Sequence, residues 1–164
     1  REPIGPDERA SDLWSRLSEV GAAALVEALA LLAIGELVET EQDESRATYA
    51  PRLTRDDARI DWSLDAETIG RWIRGLDEVP GAWTTWEGRE VKLYRPLPVP
   101  GVEHGEAPGV ILEADAHDPT QGLFVACGDG AIYVREVKPA GKRRMTATEW
   151  VRGRGPKTGD RFDG

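Results

Sequence analysis

The side chains best suited to chemistry in this sequence are cations gathered near its end. Lys138, Lys142, Arg143 and Arg144 follow an apolar run, and Arg152, Arg154, Lys157 and Arg161 close the chain. Residues 135–161 hold 9 basic and 3 acidic side chains, in a protein of net charge -9. Such a patch neutralises phosphates and releases counterions, giving a salt-dependent grip on a polyanion without reading its sequence. The acidic remainder does not cancel it, because charges beyond a Debye length of ~8 Å are largely screened. Charge alone, however, describes a solubilising tail at least as well. Arg52 and Arg55 form a smaller basic pair, for which ordinary surface arginines are an equal description.

Other reactive groups are sparse. The two histidines stand in Val102-Glu103-His104-Gly105 and Ala116-His117-Asp118-Pro119, the second reading as turn chemistry over Asp115 to Thr120. One cysteine, Cys127, excludes an intrachain disulfide and a cysteine-based zinc site. It reads as a buried small hydrophobe, and the expected compartment is the reducing cytoplasm. Asp56, Asp57, Asp61 and Asp65 fit helix caps and solvent better than an acid pair or a metal cluster, so no metal is expected. Gly128 and Gly130 sit in a hairpin, not before a helix, and make no phosphate loop. Trp14, Trp62, Trp72, Trp83, Trp86 and Trp150 could stack bases. Core packing is the expectation for most, Trp72 included, since it shares helical spacing with Ile69, Ile73 and Leu76. Trp83 and Trp86 face opposite sides of a strand, so one of them can be exposed.

The elements that must position these groups follow from periodicity. The 164 residues suit one domain, or one domain plus a piece of another. With 40% hydrophobic and 31% charged residues the chain is globular, and 18 Gly and 11 Pro point to turn-rich β structure. Leu13, Leu17, Val20, Ala24, Ala28 and Leu31 predict an amphipathic helix ending near Leu32, with Ser11 or Asp12 as its cap. Leu25, Leu29 and Leu32 widen its stripe, which then needs a covering partner. No apolar run reaches the ~18 residues of a membrane span, since Gly21 to Gly35 contains Glu27. Nothing at Arg1-Glu2-Pro3 resembles a signal peptide. Acids at Glu36, Glu39, Glu41, Asp43 and Glu44 mark residues 33–48 as a solvated linker.

From residue 49 onward the signals are mostly β. Thr54-x-x-Asp57 is a helix-start box, Ile60-Asp61-Trp62 a short strand, and Asp65 the cap of a helix over 66–76. Strands are expected at 82–86, 91–95, 109–113, 122–127 and 131–137, with hairpins at Glu87-Gly88 and Gly128-Asp129-Gly130. Pro96, Pro98, Pro100 and Pro108 read as a long loop. Thr146 caps a last helix over 145–151. Five short strands that must avoid open edges favour a small Greek-key barrel of the oligonucleotide-binding type. The expected fold is thus mainly β with α.

Read in order, these stretches resemble one family. Tyr49-Ala50-Pro51-Arg52-Leu53-Thr54-Arg55-Asp56-Asp57-Ala58-Arg59-Ile60-Asp61-Trp62 resembles the opening of the C-terminal domain of methionyl-tRNA formyltransferases. Ile73-Arg74-Gly75-Leu76, Pro80-Gly81-Ala82-Trp83-Thr84, Gly128-Asp129-Gly130 and Pro139-Ala140-Gly141-Lys142-Arg143-Arg144-Met145 continue the likeness. Asp12-Leu13 through Gly21-Ala22 and Leu25 resembles the last helix of that family's catalytic domain. The likeness covers essentially the whole chain, and it rests on the order and spacing of several motifs together.

The resemblance implies transfer of a formyl group from 10-formyltetrahydrofolate to the amino group of methionyl initiator tRNA. It also implies that the catalytic Asn, His and Asp lie upstream of this chain, the His in an Asn-x-His-x-Ser-Leu-Leu-Pro stretch, and that the folate site lies upstream with them. By itself the chain is expected to be inactive. Residues 1–32 would end the catalytic domain and 49–164 would bind tRNA through Lys138, Lys142, Arg143, Arg144, Arg152, Arg154, Arg52 and Arg55. The expected partners are initiator tRNA and an N-terminal catalytic domain, with no membrane and a monomeric state. The alternatives are a structural module of a sugar-nucleotide formyltransferase or formyltetrahydrofolate hydrolase-type enzyme, a stand-alone RNA-binding module, and a dimer-forming domain.

Overall fold

The computed structural model describes residues 1–115, 117 and 122–163. The chain divides into two compact units, Arg1–Leu53 and Thr54–Gly164.

The first unit is built on helix α1, Ala10–Ile34. It starts one turn earlier than its apolar stripe: Arg9 is the N-cap, and Asp12, at the third helical position, accepts the Arg9 N–H at 3.3 Å. Ser11 lies inside the helix and does not cap it. The helix runs two residues past Leu32 and stops where Gly35 turns left-handed (φ 74), its N–H returning to Leu32 and that of Glu36 to Leu31. Arg16 ties the leading segment down, bonding Glu2 at 2.7 Å, Glu8 at 2.9 Å and the Pro3 carbonyl at 2.7 Å. None of α1 is buried, and Trp14 is 77% exposed. By length and composition alone α1 is long and apolar enough to cross a membrane. A count of consecutive apolar residues misses this, because Ser, Glu and Gly are interleaved in its first half.

The second unit is an antiparallel half-barrel. Its strands are β1 (Trp83–Trp86), β2 (Arg89–Val99), β3 (Ile111–Ala114), β4 (Leu123–Ala126), β5 (Ala131–Pro139) and β6 (Met145–Thr146). They lie in the order β1-β2-β5-β4-β3, with β6 paired to β5. β3, β4 and β5 follow one another, and β2 lies beside β5 after a long connection, which is Greek-key order. The β1–β2 hairpin turns on Glu87 and Gly88, both at positive φ (50 and 72), matching the twist of the flanking strands.

The sheet's free edges are stitched by the end of the chain. Asp163 bridges Thr85 on β1, and Arg161 bridges Val110 just before β3. The Phe162 N–H bonds Gly109 at 2.9 Å and its side chain is fully buried. Gly109 must remain glycine here, since a Cβ would stand 2.5 Å from the Phe162 carbonyl oxygen. The interior is filled by Ile60, Leu93, Ile111, Leu123, Val125, Ile132, Val134 and Phe162.

Helix α2, Ala66–Gly75, is capped by Asp65, which accepts the Thr68 N–H at 2.8 Å, and turns Ile69, Gly70 and Ile73 inward. Helix α3, Ala147–Arg152, begins at a Thr146–Glu149 capping box. Cys127 is buried, as expected of it.

Several sequence expectations are corrected. The stretch through Pro96 and Pro98 is not a loop: β2 continues to Val99, pairing Pro96 with Val134 and Pro98 with Ile132. β1 leaves off at Lys92, so the remainder of β2 has a side without a strand neighbour, where proline is tolerated. The Ile60–Trp62 stretch forms no strand, only a parallel bridge from Arg59 to Trp83. Met145 belongs to β6 rather than to the last helix. Trp72 is 42% exposed, because Ile69, Gly70 and Ile73 take the inner face of α2. The turn expected over Asp115 to Thr120 lies mostly outside the described residues.

Candidate nucleic-acid interface

Two local devices project the basic side chains. At the end of β5, Pro139 accepts the Lys142 N–H at 3.0 Å and Gly141 takes φ 72, a tight turn that leaves Lys142 and Arg143 exposed. At the end of α3, Gly153 and Gly155 both donate to the Trp150 carbonyl, and Arg154 between them is held at φ 73. Lys142 and Arg154 meet at a cleft of about 380 Å³, lined also by Trp86, Arg89, Met145 and Trp150. Trp86 packs edge-on against Trp150, with ring centroids 5.3 Å apart at 84°.

The predicted cations separate into classes. Lys138, Arg143 and Arg152 are exposed near this cleft in sequence, on β5, the turn and the end of α3, and Lys157 is exposed in the segment that follows α3. Arg161 is exposed and donates to the Pro108 carbonyl at 3.2 Å. Arg52 is exposed within the first unit.

Arg144 and Arg55 are engaged within the protein. Arg144 lies 3.9 Å over the Tyr94 ring and pairs with Glu136 at 2.7 Å, Glu78 at 3.1 Å and Asp77 at 3.6 Å. Arg55 pairs with Glu90 and lies 4.5 Å over Trp83, whose indole N–H donates to the Arg55 carbonyl at 2.7 Å. Both guanidiniums fix elements to one another: β6 to the segment after α2, and the entrance of the unit to β2.

The remaining polar candidates have structural partners. Asp57 accepts both the N–H and hydroxyl of Thr54, Asp61 those of Ser63, and Asp65 the N–H of Thr68. These bonds hold all three carboxyls below the usual range. Burial pushes the Cys127 thiol up to about 12. His104 Nδ1 accepts the Glu106 N–H at 3.1 Å, leaving Nε2 to donate to the Gly130 carbonyl. Among the described residues no group of three or more His, Cys, Asp and Glu is placed to hold a metal ion.

Sequence reasoning missed Arg89 and Phe162. Arg89 reaches the cleft because the hairpin brings β2 beside Trp86, a pairing that the Glu87-Gly88 signal implies. Phe162 stands in a segment whose charge masks its one large apolar side chain.

Residues 52–155 match the family described as formyl transferase, C-terminal domain. Methionyl-tRNA formyltransferase of Thiobacillus denitrificans is 40% identical over 98% of this chain, which covers 50% of that protein. The enzyme of the same name from Geotalea uraniireducens is 41% identical over 92% of the chain, covering 46% of it. The chain therefore spans about half the length of the curated relatives it matches. Among solved structures, HypX from Aquifex aeolicus superposes with a TM-score of 0.71 at 23% identity, over 93% of this chain and 27% of that one. A HypX structure in complex with tetrahydrofolic acid superposes with a TM-score of 0.69. At that identity the likeness concerns the fold. On the match across the half-barrel and the relatives that extend through α1, the chain belongs to the formyl transferase C-terminal domain family.

Proposed function

We propose that this chain is the RNA-gripping half of a methionyl-tRNA formyltransferase. The observation that carries the reading is the set of exposed cations around the β5–β6 turn and the end of α3, in a chain nearly all of which aligns with about half of an enzyme of that name. In this reading Lys138, Lys142, Arg143, Arg152 and Arg154 hold the phosphate backbone of initiator tRNA, and Arg55 keeps its structural place against Glu90 and Trp83. Arg144 acts mainly by keeping the turn in place. Formyl transfer from 10-formyltetrahydrofolate belongs to residues of the relatives' other half. Holding the aminoacyl end in register assists that reaction without touching the reacting atoms. The exposed apolar face of α1 is covered by that other half, the enzyme acts as a cytoplasmic monomer, and the barrel works as an oligonucleotide-binding fold.

The test is a salt titration of initiator tRNA binding to the chain, beside a Lys142→Ala, Arg143→Ala, Arg154→Ala variant. Removing one cation from a phosphate should flatten the log–log salt slope by about 0.7–0.9. Absence of salt-dependent binding at low ionic strength would reduce the half-barrel to a structural module.

A further inference from the structure

The cleft between the β1–β2 hairpin and α3 differs from a plain phosphate surface. Its floor is aromatic and apolar, formed by Trp86, Trp150 and Met145, and its rim carries Arg89, Lys142 and Arg154. Among the described residues none of these three cations has an ion-pair partner. The carboxylates of the lining are engaged: Glu90 by Arg55, and Glu149 by the Thr146 N–H at 3.0 Å. The volume of about 380 Å³ lies within the range of small-ligand sites. A half-buried indole beside unpaired cations suits a ligand with a flat ring at one end and a phosphate at the other.

Arg154 adds a second, independent sign. Its φ of 73 is a conformation that glycine adopts freely and side-chain-bearing residues avoid. It stands between Gly153 and Gly155, yet this strained position carries the arginine. The close approach of the chain here is real, since a Cβ on Gly155 would lie 2.6 Å from the Trp150 carbonyl oxygen. Strained backbone positions cluster at ligand clamps, and of the three non-glycine residues at positive φ among the described residues, Glu87, Arg95 and Arg154, only Arg154 lines the cleft.

We infer that the cleft is a subsite for one unstacked RNA nucleotide, its base lying against Trp86 and its phosphate held by Arg89, Lys142 and Arg154. The inference rests on the RNA-gripping reading and adds to it a place where a base leaves the stack. Base stacking of this kind tolerates any base, because it uses the ring face rather than its edges.

The experiment titrates the isotope-labelled chain with a 5′-phosphorylated single-stranded trinucleotide, with a blunt RNA duplex, and with free mononucleotide. The tryptophan indole N–H signals are followed. Single strand should shift the Trp86 and Trp150 signals, whereas duplex should leave them in place while still binding with salt dependence. Free mononucleotide at the concentration saturating for the trinucleotide should shift them only weakly, which marks the subsite as part of an RNA site. A full shift by mononucleotide alone would overturn the RNA assignment. Arg154→Gly relieves the backbone and should fold at least as stably, yet weaken the trinucleotide about tenfold. Trp86→Leu should weaken it comparably and leave duplex binding unchanged. Equal trinucleotide affinity in Arg154→Gly and the parent overturns the subsite while the RNA-gripping reading stands. Salt-independent or absent binding of every RNA overturns both.

Discussion

Trp62 and Phe162 stack with ring centroids 5.6 Å apart and planes 12° apart, joining the entrance of the half-barrel to its last turn of chain. Trp150 lies on Phe162 in the same manner, at 6.4 Å and 10°, and Trp86 meets Trp150 edge-on. The aromatic series runs from the closure of the sheet to the floor of the basic cleft. Phe162 thus backs the candidate site through Trp150 without lining it.

Phe162→Ala should therefore destabilise the second unit by about 3–5 kcal/mol, the usual loss for a large buried aromatic. Urea unfolding followed by tryptophan fluorescence measures it. A change under about 1 kcal/mol would show that the stitch at Asp163 and Arg161 closes the sheet without the ring.

Gly70→Ala tests how α2 seats on β2. Alanine favours a helix interior over glycine by about 1 kcal/mol. Here a Cβ would stand 2.4 Å from Cγ of Pro98, a ring atom with little freedom to withdraw. Overpacking of this kind costs about 1–3 kcal/mol, so the variant should melt lower despite the better helix former. A higher melting temperature would mean that α2 lifts from β2 easily.

Arg144 and Lys142, two residues apart, should behave oppositely. Arg144→Ala takes a cation away from the buried Asp77 and uncovers Tyr94, a loss of about 1–3 kcal/mol after allowing for the partial exposure of Glu78. Lys142→Ala should leave the melting temperature within a degree or so and act only on RNA binding. Thermal melts beside a filter-binding salt series separate the two effects.

The pH dependence follows from the cap carboxylates. Asp57, Asp61 and Asp65 titrate lower in the folded state than in an unfolded chain, where a carboxyl of this type sits near 3.9. Their contribution is fully present above the unfolded value and is lost as pH falls through the folded ones. The melting temperature should stay level down to about pH 5 and fall below about pH 4. Asp57→Asn with Asp61→Asn should make the fall shallower.

Cys127 should resist thiol reagents at pH 8 in the native protein, its thiol pushed up to about 12 by burial. It should react fully in denaturant, as a timed reaction with a chromogenic disulfide reports. Rapid native labelling would place β4 in frequent local opening.

Local chemistry alone determined much of this protein. Asp65, Thr146 and the Glu87-Gly88 pair act on residues within a few positions, so caps and hairpins were legible, and with them most strands. The order of motifs carried the family, and the charge run carried the basic surface. Tertiary structure decided what depends on a distant partner. Pro96 and Pro98 lie in a strand only because β5 pairs along one side of it. Trp72 faces outward because Ile69 and Ile73 claim the inner face of α2. Arg144 and Lys142 are near neighbours in sequence, yet Glu136, Glu78 and Asp77 meet the first and leave the second to solvent. The cleft exists only where the hairpin, the β5–β6 turn and the end of α3 converge, through the pairing of Val91 with Pro139 and the packing of Trp150 against Trp86 and Phe162, contacts between segments distant in sequence.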